Sequence, residues 1–285
     1  MLPIHKIIYF EMFSQERPER VSEKETMNDL EQIRSYVKAY EWGGPTSALQ
    51  LHHLKELSLM INDGDTIVDL ACGPGPLLLE LAVLYPESQF IGVDMAPLML
   101  SHLQQTAESK NLKNIRTLCA DIRTLKSTDF GGQVDLVIST SALHHLPQPE
   151  DLKTVFCTIG QILKNTGGFY IFDFGFLKSQ KTKKILVLDL KKKAPPLTVQ
   201  DYEDSLNACF QIKKVLNSAI ESLPKPFMFF KSMFADFFYF LKSPARTQSP
   251  DSVKIKILTI WRSLSFENKV EHLLLRLLRR RKTQN

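Results

Sequence analysis

The first chemistry in the 285-residue chain appears at residues 69–76, which read Asp-Leu-Ala-Cys-Gly-Pro-Gly-Pro. Gly73 and Gly75 remove Cβ atoms where the chain must turn sharply, so a ligand can lie directly against the backbone. Pro76 suits the first position of a helix, and that helix start offers free N–H groups to a polar or anionic ligand end. Asp94 stands 19 residues beyond Gly75, where a carboxylate can accept both hydroxyls of a ribose, and Met95 follows it. Asp121 and Ile122 pair a carboxylate with an apolar neighbour, a combination suited to an adenine amino group and ring face. Each aspartate alone fits a solvated strand end, and a glycine turn alone is often only a turn. Their recurrence in three successive units describes a nucleoside pocket.

Other chemistries lack their residues. The third glycine of a dinucleotide fingerprint is replaced by Leu78, and no Gly-Lys-Ser/Thr phosphate loop exists. Asp173-Phe174-Gly175 imitates a kinase triplet without the His-Arg-Asp motif that should precede it. Four scattered cysteines form no C-x-x-C pair, which argues against a zinc site or a disulfide framework and suits a reducing, cytoplasmic setting. His52 and His53 fall on an expected surface helix with no carboxylate motif nearby, so no metal site is expected. His144 and His145 are different, because they follow a strand at the cleft edge. An imidazole there titrates near neutrality and can take a proton from a nucleophile, or it can simply bond a loop carbonyl.

The elements that must hold these residues follow from periodicity. Residues 14–62 read as helical, opened by a Ser22/Glu25 capping box with an apolar series at Met27, Leu30, Ile33 and Val37. Gly43-Gly44-Pro45 breaks that run before a helix carrying Leu49, Leu54, Leu57 and Met60. From residue 63 short apolar strands (66–68, 89–93, 115–118, 134–138, 169–172) alternate with helices (76–84, 97–110, 151–163). That alternation predicts an α/β fold: a doubly wound, mostly parallel sheet with helices on both faces and ligands beyond the strands' carboxyl ends.

At this point the chain resembles the class I S-adenosylmethionine-dependent methyltransferases. The resemblance rests on VDLACGPG (68–75), IGVDMA (91–96), CAD (119–121), VDLVISTSALHHL (134–146) and ILKNTGGFYIFDF (162–174), in that order. It departs mildly at Ala71, where many members have glycine, and at Asn165-Thr166, where a proline is usual. It implies a Rossmann-like, seven-stranded sheet and an enzyme that moves a methyl group from S-adenosylmethionine, leaving S-adenosylhomocysteine, to an O, N or C nucleophile. It also implies a cofactor set of Asp69, Ala71, Gly73, Gly75, Asp94, Met95, Asp121, Ile122, Ser139 and Thr140, with His144 or His145 handling a proton. Tyr36, Tyr40 and Trp42 would lie on a cap that closes over cofactor or substrate, although packing against the core explains them equally. The implied domains are 1–240, with cap helices at about 20–61 and a core at about 63–225, and a basic, amphipathic, helical extension at 241–285. A nicotinamide-dependent oxidoreductase and a non-catalytic S-adenosylmethionine-binding protein are the alternatives.

Substrate class follows from what is missing and from charge. Ser139-Thr140-Ser141 is not the Asn/Asp-Pro-Pro-aromatic signature of exocyclic-amine DNA methylation, and there is no Pro-Cys nucleophile. Residues 241–285 hold 11 basic and 3 acidic side chains, leaving a net −3 on the first 240, so nucleic acid is disfavoured and a small molecule expected. Eight aromatics within 227–240 suggest core, an apolar substrate pocket or a membrane contact. Residues 267–282 read as an amphipathic helix ending in a basic cluster. Such a helix docks on its own domain or meets an anionic membrane surface or acidic partner.

Overall fold

A computed structural model describes residues 3–16, 18–23, 29–277 and 279–282. The chain runs α1(Ile4–Phe13), α2(Leu30–Ala39), α3(Ser47–Leu57), β1(Thr66–Leu70), α4(Pro76–Leu84), β2(Gln89–Asp94), α5(Pro97–Ser109), β3(Ile115–Cys119), β4(Val134–Thr140), α6(Pro149–Ile162) and β5(Leu163–Phe174). It continues through α7(Gln180–Leu190), α8(Pro196–Ala208), α9(Ile212–Ser222), β6(Met228–Ser232), β7(Phe238–Lys242), α10(Asp251–Ser263), α11(Phe266–Leu277) and β8(Arg279–Lys282).

The strands form one sheet in the order β3-β2-β1-β4-β5-β7-β6-β8. The first five are parallel, and β7 is antiparallel to both β5 and β6. The strand order reverses between β1 and β4, and in such sheets the crevice beyond that switch point is where a ligand fits. The register brings the needed strand ends level: Leu70 opposite Val93, Asp94 opposite Cys119, and Thr140 opposite Phe172.

Two cores explain why the central strands read as continuous apolar runs. On β5, Tyr170 and Phe172 point into the core beneath α3, α4 and α10, whereas Phe169 and Ile171 point into the core beneath α6 and α9. Truncating a fully buried residue here, such as Leu136 to Ala, costs about 2–5 kcal/mol.

The expected strands and central helices form within a few residues of their predicted bounds, except that β5 begins at Leu163, six residues before its expected start. The other differences lie outside the βα core. Residues 18–23 are an extended strap rather than helix. α2 is capped by Asp29, whose carboxylate accepts from the Gln32 N–H at 3.2 Å, rather than by Ser22. Glu25 and Met27 lie outside the described residues. His52 and His53, expected on a surface, are 1% and 4% exposed because α10 and α11 cover α3. The His53 Nδ1 meets the Tyr170 hydroxyl at 2.8 Å, and burial holds this imidazole well below the ordinary histidine range.

The aromatic segment 227–240 is the antiparallel hairpin β6–β7. Phe229, Tyr239 and Phe240 are buried in the two cores, which corrects the membrane-contact expectation for them. The boundary expected at residue 240 falls inside β7. The helix expected over 267–282 stops at Leu277, and Arg279–Lys282 adds an eighth strand to the β6 edge. α11 docks on α3. No helix among the described residues is long and apolar enough to cross a membrane.

Candidate functional site

A cavity of about 1100 Å³ opens at the carboxyl ends of β1, β2 and β4 and is roofed by α1, the strap, α2 and α8. Its half at the glycine turn is built from backbone. The chain leaves β1 through Ala71 (φ +53°), Gly73 (φ +55°) and Gly75 (φ +63°), all left-handed. A Cβ on Gly75 would sit 2.6 Å from Leu103 Cδ1, so glycine is needed there for packing as well as for φ. At Gly73 the space is open, and a ligand can approach the main chain.

The Asp94 carboxylate ties this turn to β2. It accepts from the Gly73 N–H and from the Ala96 N–H, both at 2.8 Å. Asp69 stands behind the turn with one carboxylate oxygen unpartnered, and burial and then Asp94 push its carboxyl up to about 8. Asp121 is held by Arg123, whose fork also reaches Asp151 at 3.3 Å. Bonding to Arg123 keeps the Asp121 carboxyl below the usual carboxylate range, despite partial burial.

The other half centres on His144, which follows β4 on a short helical turn. Its N–H donates to Asp173 Oδ2 at 2.9 Å and its Nδ1 bonds Oδ1 at 2.7 Å. His144 and Asp173 are 2% and 1% exposed. The His144 Nε2 has no hydrogen-bond partner and lies 4.0 Å from Glu23 Oε1. Burial alone would lower this imidazole, but Asp173 overrides it and the pKa lies above the ordinary histidine value. His145 is half exposed and pairs with the other Glu23 oxygen.

Arg20 places Glu23. Its guanidinium donates to the carbonyls of Ala208 (2.6 Å), Pro147 (2.9 Å), His144 (2.9 Å) and Leu146 (2.6 Å), and it stacks 4.1 Å above the Phe210 ring. The strap is thereby fastened to both the histidine turn and the end of α8. Above it, Tyr36 and Tyr40 stack with ring centroids 4.6 Å apart, and burial raises both phenols. Tyr40 also bonds Ser141, a second non-glycine residue with a left-handed backbone on the rim (φ +53°).

Of the residues expected from sequence, Ala71, Gly73, Asp94, Met95, Asp121, Ile122, His144, His145, Tyr36 and Tyr40 line this cavity. Others do not. Gly75 caps α4 and packs on Leu103. The Ser139 hydroxyl donates to the Leu70 carbonyl at 3.1 Å, so it braces β4 against β1. Thr140 and Asp69 lie outside the lining, and Trp42 packs against the core beneath α3. Glu23, Ser141, Asp173 and Asp201 were missed. Asp173 belonged to the discarded kinase-like triplet, although its place at a strand's carboxyl end was a usable signal. Glu23 and Asp201 reach the cavity only through tertiary packing. The ligating atoms of Glu23, His144 and His145 lie within 4.8 Å of one another, a grouping the sequence reading, which expected no metal site, did not anticipate.

A crevice at the switch point of a doubly wound sheet defines a protein class, and comparison with known proteins agrees. Residues 61–227, more than half of the chain, match the family described as a methyltransferase domain. The chain belongs to the class I S-adenosylmethionine-dependent methyltransferase family. It is 33% identical over 93 residues to trans-aconitate 2-methyltransferase of Mycobacterium ulcerans (strain Agy99), covering 33% of this chain and 32% of that one. It is 30% identical over 90 residues to (S)-coclaurine N-methyltransferase of Thalictrum flavum subsp. glaucum, covering 32% and 24%. The chain thus spans about a quarter to a third of the length of the curated relatives it matches first. Among solved structures, the plantazolicin methyltransferase BpumL, in complex with a desmethyl-plantazolicin analogue and SAH, shares the fold. Its TM-score is 0.55 at 15% identity, covering 83% of this chain and 86% of that one.

Proposed function

We propose that this protein is a methyltransferase that transfers the S-adenosylmethionine methyl group to a small, largely apolar molecule. The observation that carries this reading is the cavity itself: one wall is the glycine turn tied to Asp94, and the facing wall is the Asp173-oriented His144. The residues fit such a cofactor. The open backbone at Gly73 and the Asp94 and Asp121 carboxylates in the lining suit a cationic amino acid joined to a nucleoside. When bound, the sulfonium supplies an activated methyl group. The glycine turn and Asp94 would hold the ribose side, with Asp121 and Ile122 at the base. Tyr36, Tyr40 and the strap would exclude water, and fixing two reactants in a shared crevice contributes roughly 7–11 kcal/mol in favourable cases. His144 Nε2, with its Nδ1 bonded to Asp173, would take a proton from a nucleophile that must lose one.

Cysteines that are all unpaired favour a reducing, cytoplasmic setting, and the mostly apolar lining of the cavity favours a small-molecule partner over nucleic acid. The nicotinamide oxidoreductase alternative gains nothing from the relatives. Calorimetry with S-adenosylhomocysteine and NAD in parallel tests the reading. Micromolar binding of the first with none of the second is expected, and the reverse overturns it.

A further inference from the structure

The charges on the acceptor half of the cavity are one-sided. Its lining includes Glu23, Asp189, Asp201, Asp204 and Glu271, against Lys193 as a permanent cation. Lys193 is already spent on Asp189 (3.1 Å) and Glu271 (3.2 Å) within the cavity and on Glu267 (2.6 Å). Arg123, at the nucleoside end, is spent on Asp121 and Asp151. Arg20 donates only to main-chain carbonyls. A carboxylate or phosphate entering this space meets no uncommitted cation among the described residues, and it meets several carboxylates. An acid acceptor is excluded on these grounds.

A cationic guest meets the opposite situation. Asp201, on α8, lines the same cavity as Tyr36, Tyr40, His144 and His145, and its charge acts on both phenols and both imidazoles. It forms no ion pair among the described residues. Burial, with Glu23 adding to it and His145 and His144 opposing it, pushes its carboxyl up to about 6. A second, independent feature points to a guest: His144, 2% exposed, is in the cavity wall and its Nε2 has no hydrogen-bond partner among the described residues. Aromatic faces surround the same space. Tyr36 and Tyr40 stack on one side, and Phe174 meets Tyr202 edge-on at 5.7 Å on another. Carboxylate plus aromatic faces is the combination that recognises an ammonium. Further out the wall is aliphatic, with Ile7, Leu177, Leu186 and Leu190.

Resting on the methyltransferase reading, we propose that the acceptor is an apolar amine, held as its ammonium by Asp201 among the aromatic faces and methylated on nitrogen. The bound ammonium first gives one proton to His144 Nε2. The nitrogen lone pair then forms the N–C bond, and the electron pair of the broken C–S bond stays on sulfur. The product is the N-methylated ammonium, neutral S-adenosylhomocysteine and a protonated His144 that returns its proton to solvent. Glu23, His145 and Asp173 are the other charged groups facing this step.

The test uses the full chain saturated with S-adenosylhomocysteine and three probes sharing one skeleton: 4-phenylbutylamine, 4-phenylbutanol and 4-phenylbutyrate. Calorimetry should show the amine binding about tenfold or more tighter than the alcohol or acid, the effect of one charge-assisted contact. Asp201→Asn should bring the amine close to the alcohol without changing affinity for S-adenosylhomocysteine, and Asp201→Glu should restore most of the preference. Equal binding of the three probes, absence of binding by all three, or an unchanged preference in Asp201→Asn overturns the amine proposal. Failure of S-adenosylhomocysteine itself to bind is a different result and overturns the methyltransferase reading instead.

Discussion

The nucleoside half of the cavity comes from residues 69–123, three consecutive βα units whose strand ends the sheet register sets level. The acceptor half draws Glu23 from a strap, His144 from a turn after β4, Asp173 from β5 and Asp201 from α8. In the first half the backbone does the shaping: left-handed turns, open N–H groups and one carboxylate that gathers two of them. In the second half, side chains distant in sequence are fastened together by buried polar contacts. The comparison teaches that the first half should fail through backbone geometry, and the second through the loss of any one fastener.

Gly75→Ala attacks the backbone-built half where it is least tolerant. The left-handed φ costs about 1–3 kcal/mol and the collision with Leu103 about 1–3 kcal/mol more. Urea unfolding should show the combined loss, with cofactor binding abolished; a fully stable variant that binds normally breaks the comparison. Asp94→Ala comes next. It frees two backbone N–H groups bonded to a charged acceptor, and cofactor affinity should fall by about 100-fold in calorimetry. Acceptor-side binding should be unaffected, and loss of both together would show that the halves are one unit.

Asp173→Asn sharpens the other side. His144 in the wild type has a raised pKa, so its proton-accepting form grows only as pH passes above the ordinary histidine range, and kcat/KM should rise there. Removing the carboxylate should move that limb to lower pH and reduce the maximum rate by about 10–100-fold. The same sign governs stability. A cation favoured by folding stabilises fully below about pH 6.5, and that contribution fades as pH rises through the raised value, so the variant's stability deficit should be largest in acid. An unshifted profile removes His144 from the chemistry. Arg20→Ala should have the smallest effect. Releasing the strap should raise KM for the acceptor by about tenfold while the cofactor constant stays within about twofold.

The legibility of the two halves in the sequence follows the same division. Strand and helix positions from 66 to 174 were readable because short apolar runs and helical stripes are local patterns, and the glycine turn, Asp94 and Asp121 sit at fixed offsets from them. Ser139 shows where that logic ends. The resemblance implies a ligand role for it near the end of β4, yet its hydroxyl turns to the Leu70 carbonyl, a choice visible only once β1 and β4 pair. The residues 227–240 were ambiguous for a related reason. β7 is buried along Phe238–Leu241, on both faces, so its apolar run has no alternation to distinguish it from a membrane-seeking cluster.

The amino-acid sequence by itself determined the α/β layering, the strand ends that carry the proposed cofactor residues and the family, because these depend on spacing within single βα units. Tertiary structure alone decided that His52 and His53 are interior. It also decided that Asp173 orients His144, and that Arg20 brings Glu23 to the histidine turn while α8 brings Asp201 to the same cavity. The physical reason is range. A turn or a cap is specified by neighbours a few residues away, whereas a buried ion pair between distant segments exists only after the sheet has closed the space that holds it.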